Sequence, residues 1–369
     1  MAETGRAMIY RGLGHPMELT EYPVPEPEPG AILVKMRRAN ICGSDLHMWR
    51  GDLDLAALGQ PMPVILGHEM TGTVAKLGDG VATDSAGEPL AVGDRVVYRY
   101  FLPCGRCRAC LTGNDNLCPA GYITIVNPCA DPPHFLGAYA DYYYIRPRQT
   151  VFKVPDDVTD EMVAPANCAL SEVIFGLEKV GFGFGENIVI QGAGGLGIYA
   201  TAVAKDMGAA KVIVIDGIDE RLALAKAFGA DEIIDMKELK TPVERMLKVR
   251  ELTGGWGADV VAELVGFPHV VLEGIDLLAN GGRLLELGNV TPMLTCELDP
   301  STLTIQGRSI VAMSLYTADA LKKALEFLSR AKNRYPFERL ISHTFPLEET
   351  EKAFEHQDKG LATRTSIIP

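Results

Sequence analysis

A chain of 369 residues, 47% of them hydrophobic, is long enough to bury two separate cores and too apolar to be disordered. Its formal net charge of −13 excludes a nonspecific electrostatic grip on phosphate backbones, so nucleic acid is not an expected partner. The opening stretch MAETGRAMIYRGLGHP lacks the apolar run of a secretion signal and no segment offers the ~18 uninterrupted apolar residues of a membrane span, so a soluble cytoplasmic protein with no membrane partner is expected.

In chain order, PVPEPEPG (23–30) reads as an extended surface turn, and the short β-branched runs AILVKM, GTVAKL and DRVVYR read as antiparallel strands joined by Pro- and Gly-rich turns. Among these strands lie Cys42, in ANICGSDLH, and His68, in LGHE. A thiolate and an imidazole are both good zinc ligands, and a catalytic zinc takes three protein ligands and keeps one position open. Cys168, in PANCALSE, is the candidate for the third ligand and Glu69 the runner-up. Taken singly, an isolated Cys is more often a buried apolar side chain and an isolated His a satisfied polar residue, so it is their combination with the other motifs that points to metal.

Between them comes CGRCRACLTGNDNLC, which places Cys104, Cys107, Cys110 and Cys118 at the spacing Cys-x2-Cys-x2-Cys-x7-Cys. Such crowding lets short loops bring four sulfurs to about 2.3 Å from one Zn²⁺, and four thiolates leave no position for substrate, so this site is expected to be structural. Disulfides or reduced core cysteines are the alternatives, and disulfides rarely persist in a reducing cytosol. Cys129 and Cys296 have no assignable ligand partners and read as free thiols. The Pro-rich segment 123–145 reads as a loop that shapes a pocket, with Trp49, Phe101, Tyr122 and His134 as candidate lining residues.

From about residue 170 the pattern changes. Apolar runs alternate with helical stretches (NIVIQ, LGIYATAVAKDMG, KVIVID, ERLALAKAFGA, DEIID, then DVVAELV and RLLELG), which predicts a parallel sheet with crossover helices. Directly after NIVIQ, Gly192, Gly194 and Gly197 form G-x-G-x-x-G, with Gly195 and Leu196 opening the following helix. Glycines there permit a tight turn, close approach of a pyrophosphate and close helix–strand packing, while the helix N-terminus presents unpaired N–H groups. Asp216 ends KVIVID 24 residues after Gly192, where a carboxylate accepts from both ribose hydroxyls and repels a 2′-phosphate, so NAD is favoured over NADP. Arg221 follows as a further candidate cofactor contact. The amphipathic stretch TADALKKALEFLSRA and the strand-like TRTSIIP close the chain, and the region after about 312 is expected to return to the first domain.

The order of GHE (67–69), CGSDLH (42–47), the four-cysteine lobe, GAGGLG (192–197), Asp216 and the terminal ATRTSI around Arg364 resembles the zinc-dependent medium-chain alcohol dehydrogenases over nearly the whole chain. The resemblance implies an α/β protein: a GroES-like, mostly-β catalytic domain (1–168 and 312–369, with its zinc lobe at about 100–120) and a doubly wound Rossmann NAD-binding domain (169–311). It implies a catalytic zinc on Cys42, His68 and Cys168, a structural zinc on the four lobe cysteines, a proton path through Ser44 and His47, and support of the metal and cofactor by Asp45 and Arg364. It also implies a homodimer or homotetramer, with SIVAMSL (309–315) as a candidate contact strand.

The chemistry agrees with that implication. An alkoxide is a far better hydride donor than a neutral alcohol, and Zn²⁺ lowers the pKa of a bound water, and by extension an alcohol, from about 16 to about 7. Ser44 can accept the hydroxyl proton and pass it through the cofactor ribose to His47, whose unperturbed pKa near 6.5 suits exchange with solvent. Glu172 stands where the family often has a small hydroxyl residue, and a carboxylate there can favour NAD⁺, reach the metal shell or pair with a basic residue. The expected function is hydride transfer between NAD and a small-molecule alcohol, with a secondary, bulky or cyclic one favoured. A zinc-independent enone or quinone reductase and a non-catalytic NADH sensor are the alternatives.

Overall fold

The computed structural model describes residues 3–369; Met1 and Ala2 of the opening stretch lie outside it. Two compact units emerge. One comprises, of the described residues, 3–171, Leu315–Lys332 and Phe337–Pro369, the other Glu172–Ser314 and Asn333–Pro336.

The first unit is built on a seven-stranded mixed sheet whose spine is the strand Ile32–Asn40, paired antiparallel with Glu69–Leu77 on one side. Its other neighbours are Tyr142–Ile145, at one end, and the C-terminal strand Thr365–Ile368, at the other. Ile32–Asn40 buries nearly every residue, as a strand covered on both faces must. Its last pair, Asn40 with Glu69, delivers the chain on one strand to Cys42 and on the other to His68. A smaller three-stranded sheet, Glu18–Pro23, Thr4–Tyr10 and Val64–Ile65, leads into the same corner. The amphipathic stretch near the end forms the helix Ala318–Ala331, with its apolar stripe buried.

The second unit has six parallel strands, in spatial order Glu232–Asp235, Lys211–Asp216, Asn187–Gln191, Ala258–Glu263, Leu278–Glu286 and Ser309–Ala312. This is the doubly wound arrangement that the alternating pattern predicts, and its central strands are buried on both faces. Strand order reverses around Asn187–Gln191, so the crevice for a ligand opens at the carboxyl ends of these strands, where the glycine loop begins. Val189, Ile213, Val261 and Leu284, all fully or almost fully buried, form the centre of this core. No helix among the described residues is long and apolar enough to cross a membrane.

Candidate metal and dinucleotide sites

Three side chains from three segments of the first unit converge: Cys42, His68 and Cys168 have ligand atoms within 4.8 Å of one another. Cys42 is the N-cap of the helix Gly43–Arg50, where its sulfur accepts from the Asp45 N–H and Asp45 Oδ2 accepts from the Cys42 N–H at 2.9 Å. His68 follows Gly67, whose φ of 90° and crowding by Tyr139 and Ala138 leave no room for a Cβ. Cys168 sits in a single π-turn, Ala166–Leu170, a local widening of the helix that is frequent at functional sites.

Cys42 Sγ and Cys168 Sγ are 3.9 Å apart. Two sulfurs bound tetrahedrally to one zinc would be separated by about 3.8 Å, so this pair fits such an ion without rearrangement. The Cys42 thiol is held well below its ordinary pKa by its hydrogen bond to Cys168, against burial and with help from His68 and Arg364. For His68, burial works against protonation, but the charges of Asp45 and Cys42 outweigh it and raise the imidazole well above its usual value. A cluster that draws positive charge this strongly has the donor chemistry of a cation site.

The surroundings are ordered as a ligand set requires. Asp45, fully buried, brings Oδ1 to 3.2 Å from His68 Nδ1 and accepts at Oδ2 from Tyr139 Oη at 3.0 Å. That leaves Nε2 toward the thiols, with Ser44 Oγ 3.5 Å from it. His47 is on the exposed side of the same helix, its Nδ1 2.9 Å from Asp52 Oδ2. Glu69 does not join the ligand set. Its buried carboxylate pairs with Arg364, and burial pushes it up to about 7 although Arg364 pulls it down. Arg364 is therefore found behind the metal ligands, inside the first unit, with its carbonyl accepting from Ser342 N.

Asn167 ties the Cys168 turn to the strand that follows His68 and to the strand Arg95–Tyr98. Its Oδ1 accepts from Met70 N at 3.3 Å, two residues past His68, and its Nδ2 donates to Tyr98 O at 2.8 Å. Tyr100 lies against the His68 ring, with centroids 4.7 Å apart, and Phe101 and Tyr316 extend the aromatic wall. Of the expected pocket residues, Phe101 is in this wall. His134 is instead buried and stacked on Tyr22, Tyr122 is exposed, and Trp49 packs on Phe354. Tyr139, Asn167, Tyr100 and Tyr316 carried no local signal in the sequence.

The second cluster is Cys104, Cys107, Cys110 and Cys118, again within 4.8 Å of one another. Cys107 and Cys110 bring their sulfurs to 3.5 Å, and Cys104 N donates to Cys118 Sγ at 3.3 Å. Burial works to raise Cys118, but the N–H groups of Cys104 and Gly121 bring it down to about 6, while burial and Cys107 push Cys110 up to about 12. Four sulfurs this close together are a donor set that one divalent ion would satisfy. Cys129 and Cys296 are free, one buried and one exposed.

In the second unit, Gly192 turns the chain at φ 92°, and a Cβ on Gly197 would fall 1.8 Å from Gly192 O. A Cβ on Gly194 would meet nothing within 4 Å, so the space above the loop is open. Gly194 caps the helix Gly195–Asp206 without a side chain, which leaves its first N–H groups for an anion. Asp216 closes its strand with Oδ2 accepting from Ala193 N at 2.7 Å and Oδ1 from Gly217 N and Ile218 N at 2.7 and 2.9 Å. The carboxylate thus shapes the glycine loop as well as bordering the crevice. Arg221, half-buried, is in the first turn of the next helix, Asp219–Ala227, and Glu172 is half-buried in the first turn of Ser171–Lys179.

Residues 28–156 match the family model described as "Alcohol dehydrogenase GroES-like domain" and residues 195–330 the one described as "Zinc-binding dehydrogenase". The chain is 35% identical over 352 residues to a 5-exo-hydroxycamphor dehydrogenase of Pseudomonas putida, covering 95% of each protein. An L-threonine 3-dehydrogenase of Bacillus subtilis is 33% identical (95% of this chain, 94% of the relative), and a sorbitol dehydrogenase of Ovis aries 32% (98% and 95%). Among solved structures, an alcohol dehydrogenase of Thermotoga maritima superposes with a TM-score of 0.92 at 30% identity, covering all of both chains.

Proposed function

The chain belongs to the zinc-dependent medium-chain alcohol dehydrogenase family and is an alcohol oxidoreductase; from that premise we propose that it interconverts a secondary alcohol, bulky or cyclic, and its ketone, with NAD as the hydride carrier. The observation that carries the reading is the Cys42, His68 and Cys168 cluster with Ser44 Oγ 3.5 Å from His68 Nε2. Two thiolates and one imidazole are the ligand composition known for the catalytic zinc of alcohol dehydrogenases. The relatives point the same way, since hydroxycamphor, L-threonine at position 3 and sorbitol all offer secondary hydroxyls.

Cys42, His68 and Cys168 would hold one zinc and the four lobe cysteines a second. Zinc when bound supplies a Lewis acid that lowers the pKa of the substrate hydroxyl. Ser44 accepts the hydroxyl proton, and His47, half-exposed and oriented by Asp52, releases it to solvent. Asp45 fixes the His68 tautomer through Nδ1 and Arg364 neutralises Glu69. Gly192, Gly194, Gly195, Leu196 and Gly197 would receive the pyrophosphate, and Asp216 and Arg221 the adenosine ribose.

We also place the enzyme in the cytoplasm, in keeping with eight cysteines that form no disulfide. It would be a homodimer or homotetramer joined at the edge strand Ser309–Ala312, whose outer backbone is unpaired in the sheet. A panel of alcohols with NAD⁺, followed by NADH absorbance, tests the substrate class. Cyclic secondary alcohols should give the highest kcat/KM; turnover confined to primary aliphatic alcohols would refute the substrate assignment.

A further inference from the structure

Among the described residues Arg99 is one of the largest fully buried side chains, and neither metal site uses it. Its guanidinium donates to Asp115 Oδ2 at 2.8 Å, within the four-cysteine lobe between Cys110 and Cys118, and to Tyr316 O at 3.1 Å. It lies over the Phe101 ring at 4.2 Å and beside the Tyr316 ring at 5.9 Å. The Tyr316 hydroxyl donates in turn to Asn167 O, the carbonyl of the peptide that carries Cys168 N. Asn167 itself grips Tyr98 O and Met70 N, the strands on either side. One buried cation therefore stands at the centre of a continuous path, Asp115 to Arg99 to Tyr316 to Asn167, from the lobe to the ligand turn.

We propose that Arg99 is a positioning residue that couples the four-cysteine lobe to Cys168, so that order in the lobe sets the ligand geometry of the Cys42, His68 and Cys168 cluster. The inference rests on the reading that these two clusters hold metal. A buried ion pair contributes little to stability over an apolar substitute, so its role is better sought in what it holds in register. Asp115 sits on the lobe's inner turn, Asp115–Leu117, immediately before Cys118, and any loosening there withdraws the acceptor from Arg99. Arg99 then keeps the Phe101 ring and the carbonyl of Tyr316, the residue whose hydroxyl holds the π-turn. Outer-shell contacts of this kind commonly alter metal affinity by about 10- to 100-fold.

The test uses the full-length protein loaded with Co²⁺ in place of zinc, with Cys168→Ala giving the spectrum of the lobe alone. Tyr316→Phe deletes one hydroxyl and Asp115→Asn one charge, and each should shift the visible bands of the Cys42 set and speed its cobalt release to a chelator about tenfold or more. Arg99→Met should do both most strongly. Arg99→Lys, which keeps the charge but lacks the planar fork whose two nitrogens reach Asp115 and Tyr316 separately, should fall between it and wild type. Variants that melt at lower temperature but keep wild-type bands and release rates would overturn the coupling and leave Arg99 a core residue. Wild-type protein that takes cobalt in the lobe but not at the Cys42 set would sink the metal reading itself, and the inference with it.

Discussion

Asp45 Oδ1 lies 3.2 Å from His68 Nδ1, an approach that favours a proton on Nδ1 and so frees Nε2 for the Cys42 and Cys168 set. Asp45→Asn keeps the shape and removes the charge, so the tautomer is no longer enforced. Metal release from this cluster to a chelator should accelerate about 10- to 100-fold, with the lobe metal unaffected. Equal release rates in the two proteins would mean that the carboxylate serves only to cap its helix.

Counting ligands gives the second expectation. Purified protein should contain two zinc ions per chain; Cys168→Ala should lose one together with activity, and Cys110→Ser the other together with thermal stability. Elemental analysis distinguishes the cases. A single zinc that survives Cys168→Ala and vanishes with Cys110→Ser would remove the catalytic metal.

Asp216 is the residue proposed to set cofactor choice. Its replacement by Ser should move kcat/KM toward NADP by an order of magnitude or more, since losing one charged hydrogen bond costs about 1.5–3 kcal/mol. Because the same carboxylate accepts from Ala193, Gly217 and Ile218, the variant should also melt earlier. Wild-type enzyme equally active with NADP would show that the carboxylate serves the loop alone.

Ser44→Ala should lower kcat by roughly 10²- to 10⁴-fold with both metals retained. His47→Gln should be milder, because solvent replaces it at the outer end of the path, and its activity should recover as pH rises. Alcohol oxidation that is indifferent to Ser44→Ala across the pH range would send the proton by another route, with Glu69 and Glu172 the next bases to mutate.

Glu263 and Glu286 end adjacent parallel strands in direct register, and burial, with Glu286 second, pushes Glu263 up to about 7. The folded state therefore binds the proton more tightly than the unfolded chain, whose carboxyl titrates near 4.3. This contribution to stability is fully present below the unfolded pKa and is lost as pH rises from there to about 7, after which it is flat. Glu263→Gln should flatten that slope and, at pH 8, raise stability by on the order of 1–3 kcal/mol in urea titrations. An unchanged slope would exclude the pair as its source.

The four-cysteine cluster and the glycine loop were legible in the sequence because each rests on residue types whose chemistry allows few other uses, whereas Cys42, His68 and Cys168, far apart along the chain, came together only through the family resemblance. Four cysteines within one short lobe, or glycines between a strand and a helix, identify themselves locally. Arg99, Tyr316 and Asn167 could not be found in this way. Their hydrogen bonds span 217 and 149 residues, so their partners are set by how the strands stack and not by any spacing along the chain. Glu69 illustrates the intermediate case. Its chemistry made it a plausible ligand, yet Arg364, 295 residues away, claims its carboxylate. Similarly, segment 123–145 has the composition of a pocket loop, but His134 stacks on Tyr22 and bonds to Cys129 O, which anchors that part of it to the N-terminal sheet.

The strand Thr365–Ile368 pairs with Ala39 and Asn40, and Arg364 immediately before it supplies the counter-ion of Glu69. On a ribosome the second unit, almost wholly one continuous stretch, has been synthesised well before these residues emerge. Glu69 is made 295 residues before the arginine that pairs with it. Pairing of the buried Glu69 behind the Cys42, His68 and Cys168 cluster therefore waits on that late segment, and the first unit closes by docking Thr365–Ile368 onto its central strand.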